Sequence, residues 1–319
     1  MLRSLLIYLS KAAWARSLVT RWKFAWRAAS RFVAGETLED AIRVIQALNA
    51  RGIFATLDHL GEHTTTPDES RQAVSAILRA IDAIQDSGVR ANVSIKLTQI
   101  GLHLGEELCA ENLRTILEYA KLKGNFVRVD MEDSPWVDMT LDLYRQMVDC
   151  CLNNTGVVIQ SYLYRSEQDV RGLAARGARI RLCKGAYKEP ADVAYPKKSD
   201  VDANYDRLAQ IMMEASMTSG ATPLSPDGRL PPPPAFATHD PKRIAFAKTY
   251  AQKVGLPKNA IEFQMLFGIR RDLQEQTAQE GYPVRVYVPY GTEWYPYTVR
   301  RLAERPANVW FFVSNFFRK

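Results

Sequence analysis

Eight short runs rich in Val, Ile and aromatic residues recur along this chain, and each is followed by a stretch that patterns as a helix. That recurrence limits the fold more than any other feature. The runs are IFATLDHLGE from residue 53, ANVSIKLTQIG from 91, NFVRVDMED from 125, GVVIQSYL from 156, ARIRLCKGAY from 178, AFATHD from 235, AIEFQMLFGI from 260 and VRVYVPYG from 284. Short apolar runs of this composition, bounded by turn residues, read as strands. Between them lie SRQAVSAILRAIDAIQDSG, ENLRTILEYAKLKG, DLYRQMVDCCLNN, EQDVRGLAARG and PKRIAFAKTYAQKVG, amphipathic at helical spacing and several closed by Gly, as helix C-termini are. Strand then helix, repeated eight times at intervals of roughly 25 to 50 residues, predicts an α/β protein of the (β/α)8 barrel class. The competing doubly wound sheet is disfavoured because no G-x-G-x-x-G follows a strand and no Walker A sequence occurs.

A chain of 319 residues, 47% of them hydrophobic, can bury a core of barrel size. Its net charge of +7 is unevenly spread. Residues 1–35 carry Arg3, Lys11, Arg16, Arg21, Lys23, Arg27 and Arg31 and no acid, so that stretch holds the whole excess. The chain therefore divides into a basic helical arm, 1–35, and a catalytic barrel, 36–319. The arm interleaves three Trp with its basic residues, a pattern that suits an anionic membrane surface, a targeting peptide, or packing on the body. Nucleic acid is not an expected partner, because the body is not basic. The cysteines, Cys109, Cys150, Cys151 and Cys183, have neither C-x-x-C nor regular spacing, which argues against a structural metal site or a disulfide framework and for a reducing, cytoplasmic compartment. The apolar runs are too short to span a bilayer. The irregular stretch TSGATPLSPDGRLPPPP, residues 218–234, falls in a helix-to-strand connection and reads as a surface loop on the face opposite the active site, ending in a stiff polyproline spacer.

In such a barrel the chemistry gathers at the carboxyl ends of the strands. Those ends carry Asp58, His59, Glu62 and His63; Lys96; Asp130, Glu132 and Asp133; Gln160 and Tyr162; Arg181, Lys184 and Tyr187; Thr238, His239 and Asp240; Glu262 and Gln264; and Tyr287 and Tyr290. Each has a plainer reading, as a helix cap or a satisfied core group. Lys96, Asp130 and Arg181 resist it, since they lie within apolar runs and an unpaired buried charge costs several kcal/mol. Together they imply one shared polar pocket. After the eighth run comes YTVRRLAER, in which Arg300 and Arg301 fall four and three residues before Glu304, so the three can share a helix face. Read alone, that group is either a solvated salt pair or an anion site.

SIKLTQIG, VRVDMED, RIRLCKGAYKE, ATHDP, EFQMLFGI and RVYVPYG followed by YTVRRLAER resemble, in order from about residue 53 to 308, the motifs of the proline dehydrogenase family. The resemblance implies a distorted (β/α)8 barrel with its last helix over the mouth, and FAD-dependent oxidation of L-proline to Δ1-pyrroline-5-carboxylate by hydride transfer to flavin N5. It implies that Lys96, Arg300 and Arg301 hold the substrate carboxylate, that Glu304 orients the arginines, and that Tyr287, Tyr297 and Leu182 wall the ring. Asp130 and Arg181 are similar to the family's catalytic pair. Met131, Gln160, Cys183, Lys184, Gly185, Thr238 and His239 are similar to its FAD contacts. Met131 and Cys183 stand where the family admits other small or apolar residues, and the interval from Tyr287 to Arg300 is that of the short monofunctional bacterial members. The family passes electrons to a membrane quinone, which gives the basic arm a use on the inner face of the cell membrane. Three rival readings remain: a metal-dependent hydrolase using His59, His63, Lys184 and His239; a Schiff-base enzyme using Lys96 or Lys184; and a membrane-associated scaffold without catalysis.

Overall fold

The computed structural model describes residues 26, 29–61 and 64–304. Most of the basic arm, Glu62, His63 and the chain after 304 lie outside the described residues. Eight parallel strands close into a barrel: β1 (Phe54–His59), β2 (Ala91–Lys96), β3 (Val127–Asp130), β4 (Thr155–Gln160), β5 (Arg179–Cys183), β6 (Pro234–Ala237), β7 (Glu262–Leu266) and β8 (Val284–Tyr290). Six lie within one of the eight runs, and β4 and β6 each begin one residue ahead of theirs. The ring closes where β1 pairs with β8, from Phe54 beside Arg285 to His59 beside Tyr290.

The helices around the barrel are α1 (Leu38–Asn49), α2 (Pro67–Ser87), α3 (Glu106–Leu122), α4 (Val137–Asp149), α5 (Ser166–Ala174), α6 (Lys198–Thr218), α7 (Pro241–Val254) and α8 (Arg271–Gln279), with α9 (Trp294–Glu304) after the last strand. Their ends follow local chemistry. Thr66 caps α2 by accepting from the Glu69 amide at 3.2 Å, with Pro67 in the first turn and Gly88 left-handed at the end. Asp240 caps α7 in the same way through the Lys242 amide.

Successive strand side chains point to opposite faces of the sheet. On the outer face Ala55, Leu57, Val93, Ile95, Val127, Val129, Ile180, Phe263, Val286 and Val288 pack in the two large apolar clusters under the helices. The inner face is polar. Asp58, Asn92, Ser94, Arg128, Asp130, Arg181, Glu262, Gln264 and Arg285 are all buried. Hydrogen bonds between strands that are not neighbours, such as Arg181 of β5 to Asp130 of β3, can form only across the interior. Branched apolar layers usually fill such barrels; charged and polar side chains line much of this one, some paired with each other and one, Arg128, donating to the Val157 and Arg179 carbonyls.

The loop at 218–234 lies on the face opposite the strand C-termini, as expected, yet it is more than a surface spacer. Its Gly228 is buried against Phe54, and the Gly228 and Arg229 carbonyls accept from Arg285 Nη2 at 2.7 Å and Asn92 Nδ2 at 2.9 Å. A Cβ at Gly228, whose φ is +71°, would sit 2.3 Å from the Phe54 ring. This loop closes the barrel floor, and sequence composition alone misses that because the partners lie on distant strands.

At the other end, α9 covers the mouth. Trp294, Tyr295, Tyr297 and Val299 cluster with Leu60 and Ile269, which follow β1 and β7. The described end of the arm joins the same cluster through Ala29, Phe32 and Val33. Trp26 meets Trp294 edge to face with centroids 5.4 Å apart, and Trp294 Nε1 donates to Glu36 at 3.0 Å. Of the three readings of the arm, packing on the body therefore holds for residues 26 and 29–35.

Candidate active site

The polar interior converges at the mouth on Asp130. Its Oδ1 accepts from Arg181 Nη1 at 2.7 Å and from Ser94 Oγ at 3.0 Å, and its Oδ2 accepts from the Tyr287 hydroxyl at 2.8 Å. Arg181 Nη1 also donates to Ser94 Oγ at 3.1 Å, and Arg181 Nε to Gln264 Oε1 at 2.5 Å. The Arg181 guanidinium carbon lies 5.5 Å from the centre of the Tyr287 ring. Burial, helped by the Asp130 carboxylate, pushes the Tyr287 phenol well above its ordinary pKa, so it remains a donor.

The described contacts of Lys96 are longer. Its ammonium is 3.5 Å from Asp58 Oδ1, 3.4 Å from the Tyr287 hydroxyl and 4.0 Å from Asp130 Oδ2. Among the described contacts, two cations, Lys96 and Arg181, thus face two anions, Asp58 and Asp130. Such a balanced set can accept an anionic ligand only if further positive charge arrives, or if Lys96 turns from its long contacts to a closer partner. The further charge stands on α9, where the Arg301 guanidinium carbon lies 5.3 Å from the centre of the buried Tyr297 ring. The side chains of Arg300 and Glu304 lie outside the described residues.

A second group borders the ends of β3 to β6. Gln160 donates through Nε2 to the Glu132 carbonyl at 3.1 Å and the Met131 carbonyl at 3.5 Å, which leaves its buried Oε1 without a donor among the described residues. Lys184 pairs with Asp202 at 2.5 Å and Asp240 at 2.8 Å. Burial raises Asp206, in the same cluster, to about 6. The Asp240 amide donates to Thr238 Oγ1 at 3.1 Å, so the Thr-His-Asp-Pro segment both caps α7 and turns toward the mouth. His239 Nε2 accepts from the Leu266 amide at 2.9 Å, which commits the lone pair that a metal would need. Cys183 is half-buried, and its carbonyl accepts from the Ser161 amide at 2.8 Å. Gly185 has φ +113°, and a Cβ there would lie 2.5 Å from the Tyr162 ring, so this backbone presses against Tyr162 as only glycine permits. Glu189 fastens the following loop by accepting from the Ser134 amide at 2.8 Å, the Ser134 hydroxyl at 2.6 Å and the Tyr162 hydroxyl at 3.2 Å.

One expected residue is not brought to the mouth. Leu182 alternates with Arg181 and Cys183, so its side chain lies on the outer face of β5. It is fully buried in the apolar cluster that holds Tyr205, Leu208 and Met212 of α6. With Arg181 pointing inward, the period of two sends its neighbour outward. Conversely, Ser94 and Asp58 belong to the mouth group without having been singled out for a role. Asp58 was visible as a charge at a strand end, whereas Ser94 is small, lies mid-strand and carries no signal of its own.

The family described as proline dehydrogenase matches residues 41–313. Proline dehydrogenase 1 of Bacillus subtilis strain 168 is 40% identical over 322 residues, covering 100% of both chains. The proline dehydrogenase of Deinococcus radiodurans is 43% identical over 297 residues, 92% of this chain and 91% of that one. Among solved structures, proline utilization A from Bdellovibrio bacteriovorus inactivated by N-propargylglycine superposes with a TM-score of 0.78 at 27% identity, covering 88% of this chain and 33% of that longer protein. Matched by the family through nearly its whole barrel and by a relative end to end, this chain belongs to the proline dehydrogenase family and is an oxidoreductase.

Proposed function

We propose that this chain oxidises L-proline to Δ1-pyrroline-5-carboxylate with bound FAD and passes the electrons to a membrane quinone. Beside family membership, the observation that carries this reading is the Lys96, Asp130, Arg181 and Tyr287 group at the barrel mouth. The residues along β4 to β6 fit a flavin. Gln160 Oε1 is a buried acceptor in want of a donor, which a ring N–H supplies, and Gly185 keeps a stretch of backbone bare of side chain. Met131, Gln160, Cys183, Lys184, Gly185, Thr238 and His239 would hold the cofactor. When bound, FAD supplies a hydride acceptor for proline C5, and the substrate also loses its amine proton to leave the imine.

The chain supplies orientation and electrostatics. Lys96, with Arg300 and Arg301, would bind the substrate carboxylate, a planar anion suited to forked guanidiniums, and Glu304 would keep the two arginines from repelling one another. Tyr287 and Tyr297 would wall the ring. Arg181 offers a buried positive charge where negative charge grows as the cofactor is reduced, and Asp130 holds it there. The arm would contact the membrane through residues before its anchored end, placing the enzyme at the inner face of the cell membrane. Among the described residues no helix is long and apolar enough to cross a membrane.

The test is an anaerobic absorbance spectrum of the purified protein before and after L-proline. The expected result is a flavin band at about 450 nm that proline bleaches. A flavin band indifferent to proline overturns the substrate, and a folded protein without flavin overturns the cofactor.

A further inference from the structure

Below the mouth a line of hydrogen bonds descends from Arg181 to the barrel floor, and the mechanism above uses only its upper end. Arg181 Nε donates to Gln264 Oε1 at 2.5 Å, and Gln264 Nε2 donates to Glu262 Oε1 at 2.5 Å. Glu262 is gripped in turn by Arg285, from Nε to Oε1 and from Nη2 to Oε2, both at 2.9 Å. Arg285 is fixed to the floor by the Ala55 and Gly228 carbonyls, each at 2.7 Å. All four side chains are buried, Glu262 and Arg285 completely.

The sense of this line is dictated by donor chemistry. A guanidinium only donates and a carboxylate only accepts, so the one amide between them must turn its oxygen to Arg181 and its N–H to Glu262. Turned over, it would set N–H against N–H and oxygen against oxygen in a buried site, losing both bonds and leaving Arg181 Nε and both ends of the Gln264 amide unsatisfied. Glu262, already held by both carboxylate oxygens, therefore determines which face Gln264 presents. The consequence for Arg181 is rotational. Asp130 and Ser94 hold only Nη1, and a single anchored nitrogen leaves the guanidinium plane free to swing; the second anchor, at Nε, defines the plane.

We propose that Glu262 and Gln264 are positioning residues for Arg181: the floor ion pair of Glu262 with Arg285 sets the Gln264 amide, and that amide holds the Arg181 guanidinium in its working plane. This rests on the flavin-dependent proline oxidation proposed above. The plainer alternative is that Glu262 and Arg285 merely clamp strands β7, β8 and β1 together.

The two readings separate in anaerobic rapid mixing of flavin-loaded protein with a series of L-proline concentrations. Wild type is compared with Gln264→Met, which keeps volume but removes the acceptor, and with Glu262→Gln, which leaves the Gln264 amide free to turn. The limiting rate of flavin bleaching should fall about 10- to 100-fold in both, the range for losing a group that orients a functional side chain. The half-saturating proline concentration should change less than about threefold, because neither residue touches the substrate. A lowered Tm with an unchanged limiting rate in flavin-retaining variants would leave only the clamp and overturn the proposal. If proline fails to bleach wild type, the functional reading itself is overturned; if wild type and variants bleach equally fast, the positioning role alone is lost.

Discussion

The two ends of the barrel interior carry the same chemistry to opposite purposes. At the floor, Arg285 and Glu262 meet through two hydrogen bonds of 2.9 Å, both side chains are fully buried, and neighbouring carbonyls take further guanidinium donors. At the mouth, Lys96 stands 3.5 Å from Asp58 and 4.0 Å from Asp130, and its side chain keeps 15% exposure. A closed pair has no vacancy for a ligand and tolerates no loss of a partner. Long contacts such as those described for Lys96 stabilise the fold little. The interior thus grades from clamp to site, and Gln264 lies between the two.

Breaking the floor should give the largest effect. Arg285→Met leaves Glu262 buried without its partner, and urea denaturation should show a loss of about 3–5 kcal/mol. Adding Glu262→Leu should recover most of that loss, since an apolar pair of similar volume replaces a buried ion pair at little cost. Failure of the double variant to recover would mean that the floor needs the charges themselves.

Breaking the mouth should be felt in substrate binding instead. Lys96→Met should raise the KM for proline about 10- to 100-fold, as expected for losing a hydrogen bond to a charged group, while unfolding stability changes by less than about 1 kcal/mol. A large stability loss would show that Lys96 belongs with the floor in kind.

The arm sharpens the comparison, because its end packs on the helix that covers the mouth. Removing residues 1–25 leaves the Trp26 contact with Trp294 and the Phe32 and Val33 packing in place, and proline oxidation by a soluble dye should keep its KM within about twofold. Removing residues 1–35 strips that packing from α9 and should raise KM about fivefold or more. Vesicle binding lost in the shorter truncation would assign membrane contact to the basic stretch before the anchor, whereas binding that survives it would exclude that stretch.

The smallest effect concerns the ion cluster around Lys184. Burial raises Asp206 to about 6 against the restraining charge of Arg243, whose Nε is 2.8 Å away. A carboxyl whose folded pKa is raised stabilises the fold fully below its unfolded value near about 4, and that stability is lost as pH rises through about 6. Asp206→Asn should therefore gain on wild type between pH 4 and 7, by at most about 1 kcal/mol after solvent screening. A constant Tm difference across that range would show that Asp206 stays ionised.

Much of this molecule was legible in its residues. All eight strands coincide to within one residue with the runs marked by composition and period, because a parallel strand in a closed barrel must bury its outer face under a helix whatever its partners. Lys96, Asp130 and Arg181 announced a shared pocket, since charge within an apolar run must find a partner nearby. The period of two carried more than was drawn from it, as an inward Arg181 already sends Leu182 to the helices.

What only the tertiary structure decided is which groups meet. Glu262 finds Arg285 across neighbouring strands, Gln264 reaches Arg181 over a separation of 83 residues, and the 218–234 loop seals the floor through Gly228. Period and composition report the face a side chain takes on its own strand. Its partner depends on the register and stagger of the closed barrel, which no local stretch of sequence contains.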